Sequence, residues 1–208
     1  MSRGTFITVE GGEGAGKTTM MDRMVEWLAA RGRTVVRTRE PGGTELAEKL
    51  REILLDKKTV GLSGQAELLL MFAARAQHLA ELIRPALERG DTVLCDRFTD
   101  ATWAYQGGGR GLPLDDIGAL EALVHGDLQP GLTVLLDIPV AQGLRRASHR
   151  GETDRFEEES TGFFERVRRA YLARAAAAPE RFAIVDASAG LEDVWAQVEN
   201  VLQQRVAP

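Results

Sequence analysis

Residues 11–18 read Gly-Gly-Glu-Gly-Ala-Gly-Lys-Thr, and no other stretch restricts the fold of this chain as tightly. They fit G-x-x-x-x-G-K-[ST], follow the apolar run Phe6-Ile7-Thr8-Val9 and open a segment of helical period. Strand, glycine loop and helix in that order make a phosphate cradle. The glycines let the backbone curl until its N–H groups converge on phosphate oxygens, and the helix N-terminus adds the positive end of a dipole. Lys17 brings a mobile cation to the β- and γ-phosphates, while Thr18 places a hydroxyl to ligate Mg2+. Gly11, Gly12, Glu13, Gly14, Ala15, Gly16, Lys17, Thr18 and Thr19 are the expected triphosphate-binding residues. The odd member is Glu13. Two like charges ~4 Å apart at an effective dielectric of ~20 repel by about 4 kcal/mol.

Downstream, short β-rich runs alternate with helical segments, the pattern of a parallel sheet covered on both faces. The spacing predicts strands over 6–10, 34–38, 92–96, 132–137 and 182–186. Helices are predicted over 17–31, 45–55, 65–88, 100–106, 115–125, 140–148, 162–178 and 191–205, with Pro85 kinking the third or ending its regular part. With 208 residues and no linker, repeat or low-complexity tract, one α/β domain over 1–208 is expected. Ligands in such sheets bind beyond the carboxyl ends of the strands, so the loops at 11–17, 39–44, 96–111 and 139–155 matter most.

A net charge of −5 speaks against nucleic-acid and membrane-surface binding, which favour a basic face. The single cysteine, Cys95, precludes an intramolecular disulfide and suits a reducing cytoplasm. The N-terminus lacks the apolar region of a signal peptide, and no run approaches the ~20 residues that cross a bilayer. The three histidines are too scattered to suggest zinc.

A phosphate cradle does not specify a reaction. A guanine-nucleotide switch would usually carry an N-K-x-D stretch, and none occurs. A kinase must hold a second substrate facing the γ-phosphate, and several features suit that task. Asp96 ends the run Thr92-Val93-Leu94-Cys95, beside the cradle, where an acid can hold the metal directly or through water. Arg97 next to it offers a planar fork for a phosphate. Thr38-Arg39-Glu40-Pro41-Gly42-Gly43-Thr44 lies upstream, and Ala104-Tyr105-Gln106-Gly107-Gly108-Gly109-Arg110-Gly111 pairs an aromatic and an amide with a flexible glycine run.

Together EGAGKTT, TREPGGT and DRF followed by AYQGGGRG resemble the bacterial thymidylate kinases, in order from about Phe6 to Tyr171. The resemblance implies a P-loop three-layer fold with five parallel strands ordered 2-3-1-4-5, transfer of the γ-phosphate of ATP to dTMP, Mg2+ and a homodimer. The alternative is another nucleoside monophosphate or deoxynucleoside kinase on the same fold. In the family the acid of the cradle turns from ATP toward the sugar of the monophosphate, which assigns Glu13 to catalysis and to dTMP. Arg51 and Arg97 match the arginines that hold the dTMP phosphate, and Glu40 matches a residue near that phosphate and the metal. Arg75 matches the arginine that reads the thymine edge. The family's stacking aromatic falls at Met71 here, leaving Met71 or the adjacent Phe72 to meet the base. Thr102 and Gln106 match base contacts, and Tyr105 lies near the sugar, where its ring can exclude a 2′-hydroxyl.

Some members carry an arginine in the cradle itself, where this chain has Gly14. An arginine at that point in phosphoryl transfer is worth about 10³-fold or more. The segment 144–155 resembles the mobile lid that supplies the cation instead and excludes water. Arg150 best matches the lid arginine, with Arg146 in reserve. The expected catalytic set is therefore Lys17, Arg97, Arg150 and Glu13, with Thr18 and Asp96 at the metal.

Overall fold

The structure, a computed structural model, describes residues 4–59, 61–148, 156 and 159–206. The five apolar runs become β1 (Thr5–Glu10), β2 (Val35–Arg39), β3 (Thr92–Asp96), β4 (Leu132–Asp137) and β5 (Phe182–Asp186). They form one parallel sheet in the order β2-β3-β1-β4-β5. Side chains alternate between its faces. Ile7, Val9 and Val134 point at α1 (Lys17–Ala29) and α9 (Leu191–Arg205), meeting Met20, Met24, Leu28, Val198 and Leu202. On the opposite face Phe6, Val93 and Cys95 pack with Phe98 and Ile83. There too α8 (Thr161–Ala177) lays Phe163, Phe164, Val167 and Tyr171 against Leu135 and Phe182.

Register decides where the site lies. Val9 stands opposite Asp96, and Asp96 opposite Arg39, so β1, β3 and β2 end level. The chain crosses from one side of β1 to the other between β3 and β4, and a crevice opens above the end of β1. The cradle and the loops after β2 and β3 converge there.

The remaining helices are α2 (Glu45–Leu55), α3 (Gly64–His78), α4 (Arg84–Glu88), α5 (Thr99–Thr102), α6 (Leu114–His125) and α7 (Val140–Ser148). Two expectations change. The helix predicted over 65–88 is α3 and α4 joined by a wide π-type turn at Leu79–Ile83, one turn before Pro85. Pro85 has no N–H to donate, so the backbone loosens ahead of it. The glycine run expected to be flexible is also helical, the π-type stretch Trp103–Gly109 continuing α5. Its glycines let α8 approach: a Cβ on Gly108 would stand 2.5 Å from the Ala170 Cβ, and one on Gly109 2.5 Å from the Phe163 ring.

Candidate active site

The cradle curls through Gly11, Gly14 and Gly16, all at positive φ, and Gly16 sits at the N-cap of α1. Lys17 Nζ donates to the carbonyls of Gly11 and Gly12, 3.2 Å from each. Burial, with the charge of Arg97, lowers the lysine's pKa against the pull of Glu13 and Asp96. A cavity of about 1190 Å³ runs over the loop, lined by Gly14, Ala15, Gly16, Lys17, Thr18 and Thr19 and reaching Asp96 and Arg146. Asp96 Oδ1 is buried without a hydrogen-bond partner among the described residues, and shares that cavity with Thr18. A hard divalent cation takes oxygen ligands, so this donor pair fits one. Arg146 borders the cavity but donates to the carbonyls of Ala187 and Ser188, at 2.8 and 3.3 Å. Arg150 lies outside the described residues, as do 149–155 of the lid segment.

A second cavity, of about 540 Å³, opens on the other side of Glu13. Glu13, Arg51 and Arg97 line both spaces. Arg97 adopts φ 65°, left-handed for a non-glycine residue, and this turns its side chain back toward the cradle. Its Nη2 lies 2.5 Å from Glu13 Oε1, an oxygen that also accepts from the Tyr105 hydroxyl at 2.8 Å. The Glu13 carboxylate thus turns from the cradle into a cation, which removes the electrostatic objection to an acid in a phosphate loop. The Arg97 guanidinium rides over the Tyr105 ring at 4.7 Å. Arg51 donates from Nη1 to the Pro41 carbonyl at 2.8 Å.

Deeper in the second cavity stand Glu40, Met71, Arg75, Thr102 and Gln106. Arg75 Nε pairs with Glu40 Oε2 at 2.6 Å, and its Nη2 donates to Thr102 Oγ1 at 3.0 Å. Its Nη1 is buried with no partner among the described residues, a donor in want of an acceptor. Of the two candidates for the base, Met71 lines the cavity. Phe72 does not. It packs with Leu68 and Ile117 in a small apolar cluster, and its ring lies 4.7 Å from the Arg75 guanidinium. One residue along a helix is a turn of about 100°, enough to send the neighbour into the core.

Three contributors were missed in the sequence. Glu67 accepts from Gln106 Nε2 at 2.8 Å and from Arg110 Nε at 2.6 Å, so the carboxylate that holds the amide is itself held by an arginine. Phe156 lines the same cavity, edge-on to Tyr105 at 6.1 Å. Glu10 is wholly buried and accepts from the Phe98 N–H at 2.7 Å and the Tyr171 hydroxyl at 2.8 Å. An acid closing an otherwise apolar strand was the available signal for Glu10. Among the described residues no cluster of three or more His, Cys, Asp or Glu side chains could hold a metal ion, and no helix is long and apolar enough to cross a membrane.

Residues 9–198 match the family profile described as Thymidylate kinase. A thymidylate kinase of Chromohalobacter salexigens is 60% identical, covering 100% of this chain and 99% of its own length. One from Pseudomonas syringae pv. tomato is 58% identical over 97% and 96%. The crystal structure of thymidylate kinase from Ehrlichia chaffeensis superposes with a TM-score of 0.80 at 34% identity, covering 97% and 99% of the two chains. Cradle, sheet order and near-complete coverage agree, and the chain belongs to the thymidylate kinase family.

Proposed function

We propose that the two adjoining cavities hold ATP and dTMP, and that the chain transfers the γ-phosphoryl group of the first to the phosphate of the second, giving ADP and dTDP. One observation carries this reading: Glu13, Arg51 and Arg97 line both cavities, so an acid and two arginines stand where the nucleotides would meet. Both reactants are anions. Cations on each side let them approach, and holding them in line converts the encounter to a unimolecular step. Lys17 faces the donor phosphates, while Arg51 and Arg97 take the acceptor phosphate. That phosphate is ionised near neutral pH, so no general base is required.

Thr18 and Asp96 are the residues that would hold Mg2+, which when bound neutralises charge across the β- and γ-oxygens. Glu13 faces the acceptor sugar, Tyr105 excludes a 2′-hydroxyl, and Met71, Arg75, Thr102 and Gln106 surround the base. Arg150 supplies the cation that the cradle lacks. Cys95 and the charge balance suit a cytoplasmic protein, and a homodimer is the proposed assembly.

An assay of ADP release across dTMP, dUMP, dCMP and thymidine tests the reading, with dTMP expected to give the highest kcat/KM. A preference for thymidine or dCMP would move the chain to a different acceptor. Arg150→Ala should depress kcat by about a thousandfold while KM for dTMP stays within a few-fold. A rise confined to KM for dTMP would remove Arg150 from the transfer step.

A further inference from the structure

Arg75 stands at the end of a relay of buried polar side chains. Thr38 Oγ1 meets His78 Nε2 at 2.7 Å, and His78 Nδ1 meets Glu40 Oε1 at 2.9 Å. Glu40 Oε2 then meets Arg75 Nε at 2.6 Å, and Arg75 Nη2 meets Thr102 Oγ1 at 3.0 Å. None of the five residues is more than 9% exposed. A carboxylate only accepts, so His78 donates through Nδ1, and in the neutral ring Nε2 accepts the Thr38 hydroxyl proton. Burial pushes the Glu40 carboxyl up, but the Arg75 charge and the His78 hydrogen bond more than offset it and leave its pKa lowered. Every partner in the relay is used except Arg75 Nη1. The loop after β2 is shaped to close on the imidazole: a Cβ on Gly43 would come within 2.4 Å of His78 Nε2 and 2.6 Å of Thr38 Oγ1.

We propose that His78, backed by Thr38, is a positioning residue for acceptor-base selection. It fixes the Glu40 carboxylate that clamps Arg75, and so aims Nη1 at the carbonyl edge of a 4-oxo pyrimidine. The inference rests on reading this cavity as the dTMP site. A carboxylate held at one oxygen can swing, and a swinging clamp would let the guanidinium tilt. Two partners on opposite oxygens remove that freedom. Cytosine presents an amino donor where thymine presents a carbonyl, so a rigid donor rejects it by leaving both groups unpaired.

Steady-state kinetics of the full chain with dTMP and with dCMP, at saturating ATP, provide the test. His78→Leu should raise KM for dTMP about tenfold and lower the dTMP:dCMP ratio of kcat/KM by a similar factor. KM for ATP should stay within about twofold. His78→Asn places an amide nitrogen where Nδ1 stands and should restore most of the ratio. Thr38→Val should shift it in the same direction by less. If His78→Leu does not fold, His78→Gln replaces it, since its amide reaches toward Thr38 and abandons Glu40. An unchanged dTMP:dCMP ratio in the folded variant overturns the proposal. So does a parallel rise of both KM values with a fallen Tm, which marks a purely structural histidine. Arg75→Lys separates the two levels. A ratio insensitive to Arg75→Lys defeats the site reading and the inference together, whereas a ratio that falls for Arg75→Lys but not for His78 variants defeats the inference alone.

Discussion

Glu10 is a wholly buried acid at the end of β1 whose pKa is displaced upward. Burial first, then the nearby charge of Asp100, raise its pKa to about 8, against the opposing pull of Tyr171, Arg97 and the Phe98 N–H. The Phe98 N–H it binds belongs to the peptide just after Arg97, so this carboxyl group also braces the left-handed turn that aims Arg97. In the unfolded chain the same group titrates near 4.5. The folded state therefore binds the extra proton between those values, and this contribution to stability is complete below about pH 4.5 and lost as pH rises through about 8. Thermal melts should show Tm falling between pH 6 and 9, with Glu10→Gln flattening that slope. An identical slope in the variant would place the dependence elsewhere. Only the acid closing an apolar strand was legible beforehand; its partners Phe98 and Tyr171 were not, because they stand 88 and 161 residues further along the chain. Lys17 and Thr18 were legible because their spacing from the glycines is itself the signal.

At the scale of elements, the contact between the cradle and α7 accounts for the missing loop arginine. A Cβ on Gly14 would lie 2.0 Å from the Gly143 carbonyl oxygen, at a φ of +70°, and a Cβ on Gly143 would lie 2.3 Å from the Glu13 carbonyl oxygen. The two backbones touch, and no side chain can start from Gly14 without moving α7. Installing the cation that other family members keep in the loop should therefore fail here: Gly14→Arg is expected to lower both Tm and kcat and not to restore activity to Arg150→Ala. Recovery of turnover in the double variant would refute this. The same logic applies to the helical glycines facing α8. Gly108→Val would drive a side chain into Ala170 and the backbone of Arg166, and overpacking of this kind costs about 1–3 kcal/mol, visible as a lower Tm. Strands and helices could be read from periodicity because burial follows period. The use of these glycines could not, since it depends on a helix that begins about fifty residues later.

At the scale of the molecule, α3 faces two ways. Inward it presents Met71 and Arg75 to the acceptor cavity and His78 to the relay behind it. Outward, Leu69, Ala73 and Ala76 are exposed at the i, i+4, i+7 spacing of a single stripe, and Ala80 in the π-type turn that follows is exposed as well. Its neighbours continue the theme, with Ile53 on α2 45% exposed and Leu123 on α6 79% exposed, and both helices pack on α3. A lone exposed leucine is ordinary, but an apolar stripe with small residues at its centre allows close backbone approach across a twofold axis. If the proposed homodimer uses this face, the acceptor site of each subunit is built on a helix braced by the other. Leu69→Glu should then give a monomer in sedimentation at micromolar concentration, and should raise KM for dTMP more than KM for ATP. A wild-type chain that sediments as a monomer would remove the dimer. A monomeric Leu69→Glu variant with unaltered KM for dTMP would keep the dimer but break the link between its interface and the acceptor site.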